Sequence, residues 1–116
     1  MEYFREITLD ADADEVWRLL SDHDELAAWV GDEVRGAAIR TGDGVVSWTW
    51  APDGVASTVE LTLATEGERT TVRVVEHRPM ATAGARACSI GDAWDDRLFG
   101  LELRCLTQRF LATPTL

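Results

Sequence analysis

The chain has 116 residues, 46% of them hydrophobic, which suits one domain with a single modest core. Its 21 acidic and 11 basic residues leave a formal charge of -10, eleven of the acids falling within the first 33 residues against only Arg5 and Arg18. A chain this acidic, with no basic stripe, excludes affinity driven by phosphate neutralisation, so neither nucleic acid nor an anionic membrane surface is expected as a partner.

Residues 2–9, EYFREITL, alternate loosely and read as a first strand with Tyr3, Ile7 and Leu9 on one face. Next comes LDADADEVWRLL, in which Asp10, Asp12 and Asp14 stand at alternate positions, as at the start of a calcium loop. The sixth and twelfth positions counted from Asp10 hold Glu15 and Ser21 in place of the required Gly and Glu, so no metal is expected. The same residues predict a helix start, with Asp12 at the N-cap and Glu15 completing a capping box. Asp22 and Glu25 repeat the signal, and Leu26, Trp29 and Val30 follow helical spacing up to Gly31. Two short helices are therefore expected at 13–21 and 23–30.

Residues 33–40 are a weak strand candidate, diluted by Gly36 and two alanines. The turn TGDG leads into VVSWTWA, where Val46, Trp48 and Trp50 share one face and Ser47 and Thr49 the other. PDG at 52–54 opens a segment whose Val55, Val59, Leu61 and Leu63 face inward, and EGER separates it from TTVRVVEH at 70–77. Strands joined by such short turns are antiparallel neighbours. Residues 79–92 show no period and read as a loop, with Asp92 as N-cap of a final helix over 93–111. On that helix Trp94, Leu98, Leu101 and Cys105 cluster on one side and Phe99, Leu103, Leu106 and Phe110 on nearly the opposite one. A helix with two apolar stripes has to be gripped from two sides.

The order strand, two short helices, antiparallel strands, long C-terminal helix resembles the α+β helix-grip fold of the START-like, Bet v 1-like (SRPBCC) superfamily. The words REITLDADADEVWRLLSDHDELAAWVG, VVSWTW, TTVRVVEHRP and WDDRLFGLEL are similar to the family related to the Hsp90 ATPase activator, with Val16, Trp17 and Trp29 at its helix positions. Members of that family usually carry one more hairpin after the second helix, where this chain has only residues 31–44. A sheet of about five strands wrapped on the C-terminal helix is therefore expected. A sheet so shortened leaves one apolar helix side uncovered, which predicts a homodimer through Phe99, Leu103, Leu106 and Phe110 or through an open sheet edge.

No nucleophile elbow, P-loop, dinucleotide or metalloprotease pattern occurs, and no catalytic residue or cofactor is assigned. His23 lies at a helix start and is expected to be exposed. His77 and Glu76, adjacent on a strand, point to opposite faces and do not form an acid-base pair. Cys88 and Cys105 lack zinc spacing; a buried thiol is expected at Cys105 and a loop position at Cys88. No leader and no apolar run of membrane-span length is present, and a cytoplasmic location follows as an expectation. Five tryptophans in so short a chain allow two readings, core packing or an aromatic-walled cavity. The resemblance implies a cavity between sheet and helix, lined by Trp48, Trp50, His77, Trp94 and Leu98 and lidded by 79–92. The leading expectation is non-catalytic binding of a small hydrophobic or aromatic molecule, as carrier or sensor. A polyketide cyclase-like enzyme and a co-chaperone-type interaction module built on the acidic first third stand as alternatives.

Overall fold

Asp12 and Asp22 organise the first third of the chain, as their spacing predicts. The structure, a computed structural model, describes residues 2–51, 54–78 and 84–112, with side chains at 90–106 of the last segment. After β1 (Glu2–Leu9) come α1 (Ala13–Ser21) and α2 (His23–Val30). The Asp12 carboxylate accepts from the Glu15 amide at 2.9 Å, satisfying one of the donors a helix start leaves over. Asp22 serves both helices. Its amide donates to the Arg18 carbonyl, closing α1, while its carboxylate accepts from the Asp24 and Glu25 amides at 2.9 and 3.0 Å, opening α2. Gly31 ends α2 at φ 134°, a conformation that favours glycine.

The expected strand at 33–40 is corrected. Asp32–Gly36 form a short 3-10 helix, which buries Val34 and is tied at Arg35 to Asp24 and Asp32 at 2.8 and 3.3 Å. Only Arg40–Gly42 form a strand, β2, and Asp43–Gly44 turn it into β3 (Val45–Trp50). β4 (Ser57–Glu66) and β5 (Arg69–His77) follow, joined by Gly67–Glu68 with Gly67 at φ 63°. All five strands pair antiparallel in the order β1-β5-β4-β3-β2. β2 covers β3 only as far as Ser47, so among the described residues no strand pairs with Trp48–Trp50 on that side.

The last helix, α3, runs Gly84–Ala112, nine residues earlier than its apolar pattern predicts. Among the described side chains the stripe reaches back to Ile90, which is buried one turn before Trp94, and it continues through Leu98, Leu101 and Cys105. Glycines 84 and 91 and the small residues between hide that turn from a periodicity argument. Gly91 is where the Arg5 side chain lies against the helix, and Arg5 Nε reaches Asp95 at 3.0 Å. The loop expected at 79–92 is thus helical from 84 onward, and residues 79–83, with the side chains of Cys88 and Phe110, lie outside the described residues.

The core sits between the inner face of the sheet and the three helices. Val46, Trp48 and Trp50 from β3, Val59 and Leu61 from β4, and Val72 and Val74 from β5 meet Val16, Leu19, Leu20, Leu26 and Trp29 and the buried stripe of α3. Burying side chains of this size stabilises the fold by about 1.5–3 kcal/mol each before entropy is counted. The opposite stripe of α3 stays exposed, at 58% for Phe99, 46% for Leu103 and 51% for Leu106.

Candidate functional site

Side chains alternate along a strand, so the parity that turns Val72 and Val74 inward turns Glu76 inward as well. Glu76 and Arg78 are 2% and 3% exposed, the two charged side chains found buried among the described residues. Around the Glu76 carboxylate the fold collects three donors. Trp94 Nε1 donates to Oε1 at 2.7 Å, while Ser57 Oγ and Trp50 Nε1 donate to Oε2 at 2.5 and 3.3 Å. Arg78 Nη2 lies 4.0 Å from the same Oε2. Trp50 and Ser57 are opposed across the β3–β4 ladder, which brings both within reach of the carboxylate.

The tryptophans form one wall. Trp48 and Trp50 meet edge to face with ring centroids 5.6 Å apart, and Trp50 and Trp94 lie at 6.2 Å, arrangements worth about 0.5–1.5 kcal/mol beyond their burial. The Arg97 guanidinium stacks over Trp94 at 4.7 Å and over Trp50 at 5.1 Å, and its Nε donates to the Val30 carbonyl at the end of α2 at 2.8 Å. Burial pulls the Arg97 pKa below the usual arginine range, against the opposing pull of Glu76 and Glu33. It remains a cation, stabilised by the faces of two rings.

Of the expected site residues, Trp48, Trp50, Trp94 and Leu98 share this core. His77 does not join them: it faces outward, 56% exposed at its side chain, with Nδ1 3.8 Å from Glu2 Oε1. His23 is exposed, as expected. Sequence reasoning chose the histidine and passed over Glu76, Arg78 and Arg97, although the inward parity of TTVRVVEH already pointed at position 76.

Among the described residues, two of the surface grooves border the sheet. One, about 270 Å³, is lined by Ala38, Arg40, Ser47, Trp48, Thr49 and Thr58, beside the uncovered half of β3. The other, about 300 Å³, lies between the start of α1 and the β2–β3 turn, with Trp17 and Leu63 among its lining residues. Among the described residues no group of three or more His, Cys, Asp or Glu is placed to hold a metal ion, and no helix is long and apolar enough to cross a membrane.

Comparison with known proteins agrees with this architecture. No curated protein matches the sequence. A family model described as polyketide cyclase / dehydrase and lipid transport matches residues 3–89. Among solved structures, DynU16 of the dynemicin biosynthetic locus is 20% identical with a TM-score of 0.74, the alignment covering 97% of this chain and 47% of DynU16. The chain therefore spans about half the length of that protein. The Aha1 dimer from Colwellia psychrerythraea is 16% identical with a TM-score of 0.73, covering 90% of this chain and 96% of the other. A START superfamily protein from Mycobacterium smegmatis is 13% identical at 0.70, with 92% and 98% covered. At such identities these likenesses speak for the fold alone, and they agree with the five-stranded antiparallel sheet packed on a long C-terminal helix. The family match runs from β1 into the start of α3, and on that ground the chain belongs to the polyketide cyclase / dehydrase and lipid transport family.

Proposed function

We propose that the protein binds a small, flat hydrophobic or aromatic molecule between the sheet and α3, as a carrier or sensor that performs no chemistry on it. The observation that supports this reading is a wall of three buried indoles, Trp48, Trp50 and Trp94, two of which, Trp50 and Trp94, donate to the buried Glu76 beside the buried Arg78. Packing alone does not call for those charges, because a buried ion pair is often no better than apolar residues of the same volume. Ligand sites, by contrast, combine apolar aromatic walls with a few fixed polar groups. Titrating polycyclic aromatic compounds while following tryptophan fluorescence and thermal unfolding tests the reading. Quenching with a raised melting temperature is expected, and silence in both readouts across the panel refutes it.

Glu76 also favours a second reading, a polyketide cyclase-like enzyme, since it is a carboxylate inside the fold. Binding is preferred because the oxygens already accept from Trp94, Ser57 and Trp50, which fits them to hold the wall together more than to take a proton from a guest.

We further propose that the chain forms a homodimer through the exposed α3 stripe of Phe99, Leu103 and Leu106. A similar fold has been solved as the Aha1 dimer, and an exposed apolar stripe of this kind marks an association surface. Leu106→Glu is expected to shift light-scattering mass from dimer to monomer at tens of micromolar. A wild-type monomer mass at that concentration refutes the proposal.

A further inference from the structure

The buried indoles at the site differ in one respect. Trp50 and Trp94 both donate to Glu76, and Trp29, elsewhere in the core, donates to the Leu19 carbonyl at 3.0 Å. Trp48 is 2% exposed, yet its Nε1 has no hydrogen-bond acceptor among the described residues. Buried donors in native proteins are paired with few exceptions, and an exception asks for a cause. A lone water is a poor one, because a buried water needs two to four polar partners. The described neighbours on the same sheet face, Val46, Val59 and Leu61, are apolar, and the adjoining Trp50 offers only another N–H.

We propose that Trp48 is the residue that selects the guest, its indole N–H donating to an uncharged acceptor oxygen, a ketone or quinone carbonyl, on an aromatic skeleton. The inference rests on the binding reading above. A neutral carbonyl fits because the core-side neighbours of Trp48 are aliphatic and aromatic, and Arg40, the cation on the groove it lines, is exposed to solvent, whereas an anion buried at the indole needs a cation beside it. The guanidinium of Arg97 stands over Trp50 and Trp94, a ring away. The uncovered stretch of β3 and the groove that Trp48 lines put this residue near the sheet's accessible edge.

Isosteric pairs that differ only in the carbonyl test this: indane against 1-indanone, and fluorene against 9-fluorenone, by calorimetry on the full chain. The ketones are expected to bind at least about tenfold more tightly than their hydrocarbons, the usual consequence of pairing a donor otherwise left buried and unmet. Trp48→Phe is expected to erase that ratio, bringing the affinities of ketone and hydrocarbon within about twofold of each other. If the variant does not fold, the wild-type indole resonances decide: one of the five indole N–H signals moves downfield with ketone and stays put with hydrocarbon. Equal affinity within each pair overturns the role of Trp48 and leaves the binding reading standing. Failure of all four compounds to bind overturns both.

Discussion

Replacing Glu76 probes the centre of the site directly. In Glu76→Leu the Trp94 and Trp50 indoles and the Ser57 hydroxyl lose their acceptor together, and the buried Arg78 loses the carboxylate 4.0 Å away. Each buried donor left unmet costs about 1–3 kcal/mol, and breaking a buried charge pair costs about 3–5 kcal/mol. These costs overlap, since one carboxylate serves all the partners, so a loss of about 4–6 kcal/mol is expected. That is a large share of the 5–15 kcal/mol by which a domain is normally stable. Glu76→Gln keeps one acceptor oxygen but turns an amide N–H₂ toward groups that also donate, and a loss of about 2–4 kcal/mol is expected. Urea unfolding followed by tryptophan fluorescence measures both, with the slope checked for constancy. If both variants lose under about 1 kcal/mol, the carboxylate does not organise the tryptophan wall and the argument from its hydrogen bonds fails.

Asp12→Ala removes one helix-start acceptor and Asp22→Ala removes an acceptor of two amides. Chemical denaturation is expected to show about 1 kcal/mol lost in the first and somewhat more, up to about 2 kcal/mol, in the second. Burial pushes the Cys105 thiol up to about 11, from 9.0. Between those values the unfolded chain releases a proton that the folded chain keeps, so stability is fully present below pH 9 and falls as pH rises toward 11, by at most about 2–3 kcal/mol. Stability curves for wild type and Cys105→Ala are expected to converge across that window, and parallel curves refute the assignment.

Local signals were legible in the sequence wherever one short-range rule acts alone. Asp12, Asp22 and Gly31 mark helix ends that the structure reproduces, and the alternation of Val46, Trp48 and Trp50 fixes the inner face of β3. The readings that failed depend on partners far along the chain. Residues 32–36 coil, burying Val34 in the core while Arg35 pairs with Asp24, and the first turns of α3 form although glycines interrupt their pattern. At the site, the three indoles and Leu98 were visible as apolar residues on calculable faces. Glu76 was not, because a charged residue on a strand is normally a solvent-facing one. Its burial is made tolerable by donors distant in the chain, Trp94 from α3, 18 positions on, with Ser57 and Trp50, 19 and 26 positions back.

Asp22 is a joint without slack: the same residue finishes α1 and begins α2, so no spacer absorbs a change in chain length. One extra residue there would advance the phase of α2 by about 100°. Leu26, Trp29 and Val30, now lodged in the interior, would swing toward solvent, and the Val30 carbonyl would leave Arg97. The angle between these two helices is thus set covalently, and insertions at this corner should be far less tolerated than at the β4–β5 turn.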